Sequence, residues 1–389
     1  MRVLFVVPPL AGHVNPTVSV AAALCSLGHE VAWVAHPGAV APLLPPNARL
    51  FALDDGVSPS KVEDVRAKAQ ARGLLAFKYL WEDFFLPLAR AMAPAVEEVA
   101  RAYRPDVMVV DQQALGGLIA ARRVGVPHVS FVTTSASVVD PLAGLPHVRA
   151  WLMCLLRALE DDAGLPPAAA PDLSDACVVV FSTRALVGEA HVFPPHHHFV
   201  GPAFTGRAQG SLAELPPLPR RPRVLVSLGT VNRERGDRFF CVAARAALAA
   251  EVSAIVVAEP AQLAGAGVAQ HSARILVKPQ VPQLALLPEV DAVVCHAGHN
   301  TVCEALSYAL PLVVAPIRDD QPVIAQQVVD AGAGVRVRYG RVGEAELAAA
   351  ITRAVHAPEL ARGAARIRDS FVAAGGPQAA AQHVMAVAS

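Results

Sequence analysis

Unbroken apolar runs of strand length recur along this chain, each followed by a turn and a segment of helical periodicity. That alternation is what most restricts the folds open to it. Residues 2–7 (Arg-Val-Leu-Phe-Val-Val) form the first run, apolar at successive rather than alternate positions. Such runs belong to strands covered on both faces, as in parallel sheets. A loop over 8–14 follows, and Asn15 is placed to cap a helix with Pro16 at its first position. Val18, Ala21, Ala22 and Cys25 keep helical spacing until Gly28. Residues 30–35 are then a second strand, completing the crossover that a parallel pair requires.

The unit recurs as strand 106–110, helix 114–124 and strand 128–132, and this first α/β half extends to about residue 200. Residues 206–222, rich in Gly, Ser, Pro and Arg and ending Pro216-Pro217-Leu218-Pro219-Arg220-Arg221-Pro222, read as a semi-rigid linker. Beyond it, strands at 224–228, 254–257, 292–295 and 312–315 alternate with helix-length segments. The expected organisation is an N-terminal domain over 1–205, the linker 206–222, a second domain over 223–375, and a C-terminal helix over 376–389 that is a candidate for packing back on the first domain. A length of 389 residues agrees with two domains. In doubly wound sheets ligands bind at the C-terminal strand edges, so two such domains would place function in the cleft between them.

With 54% apolar and 17% charged residues, and 33 basic against 33 acidic side chains, the composition argues against disorder, a basic nucleic-acid platform and an anionic-membrane partner. Pro8 and Pro9 end the N-terminal apolar run too early for a secretory signal, and no uncharged apolar stretch reaches membrane-spanning length. A cytoplasmic protein without stable membrane insertion, monomeric or homodimeric, is the expectation. Cys25, Cys154, Cys177, Cys241, Cys295 and Cys303 form no Cys-x-x-Cys pair, which favours reduced structural thiols over a zinc ribbon or disulfide framework.

The most informative segment is 280–321. Its strand ends at His296-Ala297-Gly298-His299-Asn300-Thr301 and passes directly into a helical segment reaching Ala309. A glycine-containing turn between strand and helix exposes backbone N–H groups and the positive end of the helix dipole, which together suit an anion. His296 adds an imidazole and Thr301 a hydroxyl. The competing local reading is a capping box, Thr301 with Glu304 three residues on.

The wider constellation is more specific. Gln280-Val281-Pro282-Gln283, then residues 296–304, then Pro316 and Asp320-Gln321, resemble the donor-binding signature of the UDP-glycosyltransferase superfamily, whose GT-B fold sets two Rossmann-like domains face to face. The resemblance also takes in Gly12-His13-Val14-Asn15-Pro16, Val200-Gly201-Pro202 and Ser227-Leu228-Gly229-Thr230, and is strongest with bacterial members acting on natural products, including macrolide and carotenoid glycosyltransferases. It implies that the Val281 backbone, beside Gln280, reads the base edge, and that Gln283 and Glu304 hold the ribose. It implies that His296, Gly298, Asn300 and Thr301, with Gly229 and Thr230, take the diphosphate, that Asp320 and Gln321 take hexose hydroxyls, and that His299 also belongs to the nucleotide-sugar site. The sequence departs from plant relatives at Gln280 and His299, where those carry Trp, and Arg318 replaces an aromatic of many relatives. Base preference and sugar identity are therefore left open.

A catalytic group is expected from the first domain. His13 follows the first strand, close to a helix N-terminus that would keep its imidazole neutral, and Asp111 ends the strand 106–110. On the residues alone a structural reading is favoured over a catalytic one, with Asp111 as the cap of the next helix. The resemblance implies a dyad: His13 as general base, oriented by Asp111. The implied reaction is attack of an acceptor hydroxyl on C1 of a UDP- or dTDP-hexose or deoxyhexose with inversion, as in antibiotic and other secondary-metabolite biosynthesis. No Asp-x-Asp occurs, so no metal or cofactor is expected beyond the nucleotide-sugar co-substrate. Phe77, Trp81, Phe84, Phe85 and Leu88 recur at helical spacing where the superfamily forms its acceptor pocket. They are readable either as core or, with Ser135 and Thr134, as a site for a lipophilic natural product. His191 and His196-His197-His198 are read as a solvated loop rather than a metal site. The rival functions are a catalytically silent nucleotide-sugar-binding partner of another transferase, and another GT-B enzyme such as an epimerase.

Overall fold

In the computed structural model, which describes residues 1–53, 74–139, 142, 144–204, 210–229, 236–268 and 273–388, the alternation resolves into two all-parallel sheets. The first contains β1 (Arg2–Val6), β2 (Glu30–Ala35), β3 (Arg49–Ala52), β4 (Val107–Asp111), β5 (His128–Val132), β6 (Val178–Val180) and β7 (His197–Phe199), in the order β3-β2-β1-β4-β5-β6-β7. Its helices include α1 (Ala11–Ser26), α2 (Leu74–Tyr79) running through a π-helical turn (Leu80–Phe85) into α3 (Leu86–Tyr103), then α4 (Leu115–Val124) and α5 (Pro146–Asp162).

Successive residues of β1 enter different cores because strand side chains alternate between faces. Val3 and Phe5 pack with Val14, Val18 and Leu24 of α1 and with Ala380, Ala381 and Val384 of the C-terminal helix Gly376–Ala388. Leu4 and Val6 pack instead with Leu88, Met92 and Val96 of α3. Burying each Val, Leu or Phe contributes about 1.5–3 kcal/mol, which explains the unbroken apolar runs. Helix α4 lies against α3 at glycine distance: a Cβ on Gly116 would stand 2.2 Å from Met92 Cγ and 2.5 Å from the Ala89 carbonyl oxygen.

The second sheet contains β8 (Arg223–Ser227), β9 (Ser253–Val257), β10 (Ile275–Lys278), β11 (Ala292–Cys295), β12 (Leu312–Val314) and β13 (Gly334–Arg336), in the order β10-β9-β8-β11-β12-β13. Around it run α6 (Asp237–Ala249), α7 (His299–Ser307), α8 (Gln321–Asp330), α9 (Glu344–His356) and α10 (Pro358–Ala373). Val224, Val226 and Val294 meet Phe239, Phe240 and Ala243 of α6 and Leu347 and Ile351 of α9 in one core.

The chain divides into a unit of Met1–Ser182, Val192–Arg207 and Ala374–Ser389, and a unit of Thr183–His191 and Ala208–Ala373. The C-terminal helix belongs to the first, where it packs on α1. The sequence boundaries differ at 183–191, which fall within 1–205 yet group with the second unit. There the short helix Arg184–Val187 buries Leu186 and Val187 and packs on α8 and α10. Among the described residues, no helix is long and apolar enough to cross a membrane.

Strand order reverses between β1 and β4 in the first sheet and between β8 and β11 in the second. Crevices at such reversals are where open α/β sheets bind ligands.

Candidate active site

His13 and Asp111 meet at the β1/β4 reversal. Helix α1 begins at Ala11, so His13 lies in its first turn rather than in the expected loop 8–14, and Asn15 is helical rather than a cap. The helix starts on Leu10, whose carbonyl accepts from the His13 and Val14 N–H groups (2.9 and 3.2 Å) without a side-chain cap. Pro16 is an interior residue. Its missing N–H forfeits the bond that would otherwise reach back to Gly12.

Asp111 is the last residue of β4 and its side chain is fully buried. A buried carboxylate must be satisfied by donors, and this one has three. His13 Nδ1 lies 3.0 Å from both of its oxygens, the Gln113 N–H donates to Oδ1 (2.8 Å), and the Thr133 hydroxyl donates to Oδ2 (3.3 Å). An ionised carboxylate only accepts. The Nδ1 proton is therefore held toward Asp111, and the basic lone pair is placed on Nε2 of a ring whose side chain is 15% exposed. Thr133, immediately beyond β5, also brings its Oγ1 to 2.7 Å from His13 Nδ1. Sequence reasoning named Thr134 and Ser135 at this strand end and missed Thr133, although all three share the signal of polar residues just after a strand.

The β8/β11 reversal is organised around His296, which follows β11. Its imidazole is sandwiched by two glycines: a Cβ on Gly298 would lie 2.4 Å from Nε2, and one on Gly229 2.7 Å from Cε1. Gly229 also holds φ +70°, and the intervening Ala297 holds φ +65°, a conformation that turns the chain sharply from strand into helix. Burial pushes the His296 imidazole down to about 4, with the Asp320 carboxylate working against that shift. The ring is thus neutral near pH 7, with one N–H to donate, rather than a cation.

Gly298 is the N-cap of α7, and the N–H groups of His299, Asn300 and Thr301 stand in the first turn, where no intrahelical acceptor exists. The capping-box reading does not hold: Thr301 is the third helical residue, and Glu304, buried in the next turn, accepts from Gln283 Nε2 at 2.6 Å. The two residues expected to hold a ribose are thereby joined.

Other expected residues are placed differently. His299 is buried, with its ring 3.5 Å from the Cys303 thiol. The Gln321 side-chain Oε1 accepts from the Ile317 and Arg318 N–H groups (2.9 and 3.2 Å), so that oxygen orders the turn before α8 and is already committed within the protein. Asp320 stands at the N-cap position of α8 without a side-chain capping bond, Gln280 is exposed and Val281 half-buried. Thr230 lies outside the described residues.

Among the acceptor candidates, Phe85 belongs to the core, 4% exposed and packed with Leu88 and Met92, and Ser135 is fully buried in the turn Ser135–Ser137. Phe77 and Trp81 are half-buried, and Trp151 of α5, unnoticed in the sequence, completes a ring cluster with Phe77 (centroids 6.2 Å). The Leu86 N–H bonds to the Trp81 carbonyl across a widened turn. Pro87 accounts for the widening, since its ring would collide with the carbonyl four residues back.

His197 and His198 lie in strand β7 rather than a loop, and His198 stacks on His383 of the C-terminal helix at 3.8 Å. Among the described residues, no group of three or more His, Cys, Asp or Glu could hold a metal ion.

Residues 243–387 match the family described as erythromycin biosynthesis protein CIII-like, C-terminal domain. Over nearly the full length, the chain is similar to the 4'-demethylrebeccamycin synthase of Lentzea aerocolonigenes (29% identical, 96% of each chain). It is also similar to the demethyllactenocin mycarosyltransferase of Streptomyces fradiae (26% identical, 98% of this chain and 85% of the relative). Among solved structures, the glycotransferase of kitacinnamycin superposes with a TM-score of 0.79 at 25% identity, covering 99% of this chain and 98% of that one. The fold is that of the GT-B glycosyltransferases.

Proposed function

We infer that this chain is a glycosyltransferase of natural-product biosynthesis. We propose that it moves a hexose or deoxyhexose from a UDP- or dTDP-sugar to a hydroxyl of a lipophilic acceptor with inversion at the anomeric carbon. The observation that carries the reading is the His13–Asp111 pair at the β1/β4 reversal, with both carboxylate oxygens 3.0 Å from Nδ1. The relatives named for sugar transfer and for antibiotic products support it at the level of class.

In this reading, Nε2 of His13 takes the acceptor hydroxyl proton as the oxygen attacks C1. Asp111 holds the ring in the required tautomer and stabilises the imidazolium that forms. The leaving diphosphate gains charge as the C1–O bond breaks. The N–H groups opening α7 and the neutral His296 donate to it, fixed in place before the reaction begins, so that little reorganisation is needed. Glu304, held by Gln283, accepts from the ribose hydroxyls, and Asp320 from the hexose. Such a donor array needs no metal, and EDTA is expected to leave turnover intact.

Calorimetric titration with UDP, dTDP, GDP and their glucose conjugates, in EDTA, tests the donor half. One pyrimidine diphosphate is expected to bind; binding by none of them would count against the donor assignment, and binding without turnover would favour the silent-partner reading. For the chemical half, His13→Ala is expected to lower transfer by at least about 10³-fold while leaving donor affinity within about twofold, whereas Glu304→Ala weakens donor affinity about tenfold or more. A His13→Ala enzyme that kept most of its activity would remove His13 as the base.

A further inference from the structure

We propose that Thr133 is a positioning residue for the base: its hydroxyl, set between His13 and Asp111, fixes the position of the imidazole Nδ1 and with it where Nε2 stands. This rests on the reading of His13 as the base. Oγ1 lies 2.7 Å from His13 Nδ1, closer than either carboxylate oxygen at 3.0 Å, and 3.3 Å from Asp111 Oδ2.

The proton count decides how these groups are arranged. Between Nδ1, the Thr133 hydroxyl and Asp111 there are one hydroxyl proton and at most one ring proton on Nδ1. If the hydroxyl pointed its proton at Nδ1, the ring proton would sit on Nε2, and the Nδ1 lone pair would face a carboxylate 3.0 Å away with nothing between them. If the hydroxyl instead points its proton at Asp111 Oδ2, its oxygen lone pair accepts from Nδ1–H, and every donor finds an acceptor. The buried charge of Asp111 selects the second arrangement, which leaves Nε2 as the basic nitrogen.

Asp111 alone does not hold the ring equally well. Its two oxygens are equidistant from Nδ1, so the carboxylate fixes the distance of that atom from both but leaves it free to swing about the line joining them. A third, shorter contact from β5 removes that freedom. Thr133 is buried and immediately follows the strand paired with β4, so both partners of the ring are carried by neighbouring strands of one sheet. Polar atoms placed by strand ends are held more firmly than atoms on loops.

The test uses the full-length enzyme with Thr133→Val, which removes only the hydroxyl, Thr133→Ala as a second deletion should the valine variant fold poorly, and Thr133→Ser, which restores it. Both deletions are expected to lower kcat about tenfold, the scale of one lost hydrogen bond, with donor and acceptor KM within about twofold. Thr133→Ser is expected to recover kcat to within about threefold of the parent. ¹⁵N spectra of the histidine rings, with His13 assigned by its loss in His13→Ala, should show the Nδ1–H tautomer in the parent and in Thr133→Val alike, with the Nδ1 resonance displaced in the variant by loss of the hydroxyl contact. Unchanged kcat, a change confined to KM, or a parent ring carrying its proton on Nε2 would each overturn the proposal. The spectra report on Thr133 whether or not His13 is the base. A defined tautomer in a His13→Ala-tolerant enzyme would retire the base reading instead, and the catalytic role of Thr133 with it.

Discussion

The two glycines around His296 show how single atoms set the shape of the candidate donor site. Gly298 has φ −65° and ψ 135°, which any residue can adopt, so its identity is dictated by space: a Cβ would come within 2.4 Å of His296 Nε2. Gly298→Ala is therefore expected to turn the imidazole out of place and weaken nucleoside-diphosphate binding about tenfold or more, the scale of a lost charge-assisted hydrogen bond. The thermal midpoint should move by only a few degrees. Titration calorimetry and a melting curve on one preparation separate the two effects; unchanged affinity would show that the ring has no part in the site. Gly229 carries the further constraint of φ +70°, so alanine there adds backbone strain to the same collision.

At the scale of elements, the packing of α4 on α3 depends on the same kind of close approach, now within the core. Gly116→Ala drives a methyl group into Met92 and the Ala89 carbonyl and is expected to cost roughly 1–3 kcal/mol. Gly265→Ala, with nothing within 4 Å, should be neutral. Chemical denaturation of both variants distinguishes them, and equal midpoints would contradict the tight α3–α4 contact. None of this was legible in the sequence, which marks a buried glycine without saying what stands over it. The central strands were legible because both faces are buried: β1, β2, β4, β5, β8, β9, β11 and β12 all appear as apolar runs. The strands that escaped notice, β3, β6, β7, β10 and β13, are three or four residues long and lie at or next to the sheet margins. The start of α1 was misplaced because Pro16 imitates a first helical residue while sitting inside the helix, and no polar side chain marks Leu10 as the cap. Likewise the resemblance singled out His13 and Asp111, which the structure brings together, whereas Thr133 carried no more signal than its neighbours Thr134 and Ser135, and only the register of β4 and β5 brings it to the ring.

For the whole molecule, burial of histidines and thiols sets a pH range of maximal stability. His296 in the second unit and His197 in β7 are both pushed down to about 4, chiefly by burial, and burial also lowers His128, His198 and His383. For His296 and His197 the unfolded chain takes up the proton near the ordinary 6.5, the folded chain only near 4; the other three are shifted in the same direction. The stability that neutral burial provides is thus complete above about pH 6.5 and is lost as pH falls toward 4, because the unfolded state then binds more protons. His296 alone, nine-tenths buried, accounts for about 3 kcal/mol over that interval. The buried thiols of Cys177, Cys295 and Cys303 are pushed up from 9.0, which has the opposite sense: their contribution is complete below about pH 9 and declines as the unfolded chain loses those protons. A thermal midpoint measured from pH 4 to 10 should therefore run level between about 6.5 and 9 and fall on either side. His296→Gln isolates one term, since an amide of similar reach cannot take up the proton. Its midpoint should decline less steeply between pH 6.5 and 4 than that of the parent, and an unchanged slope would mean that His296 is not buried as a neutral group in solution.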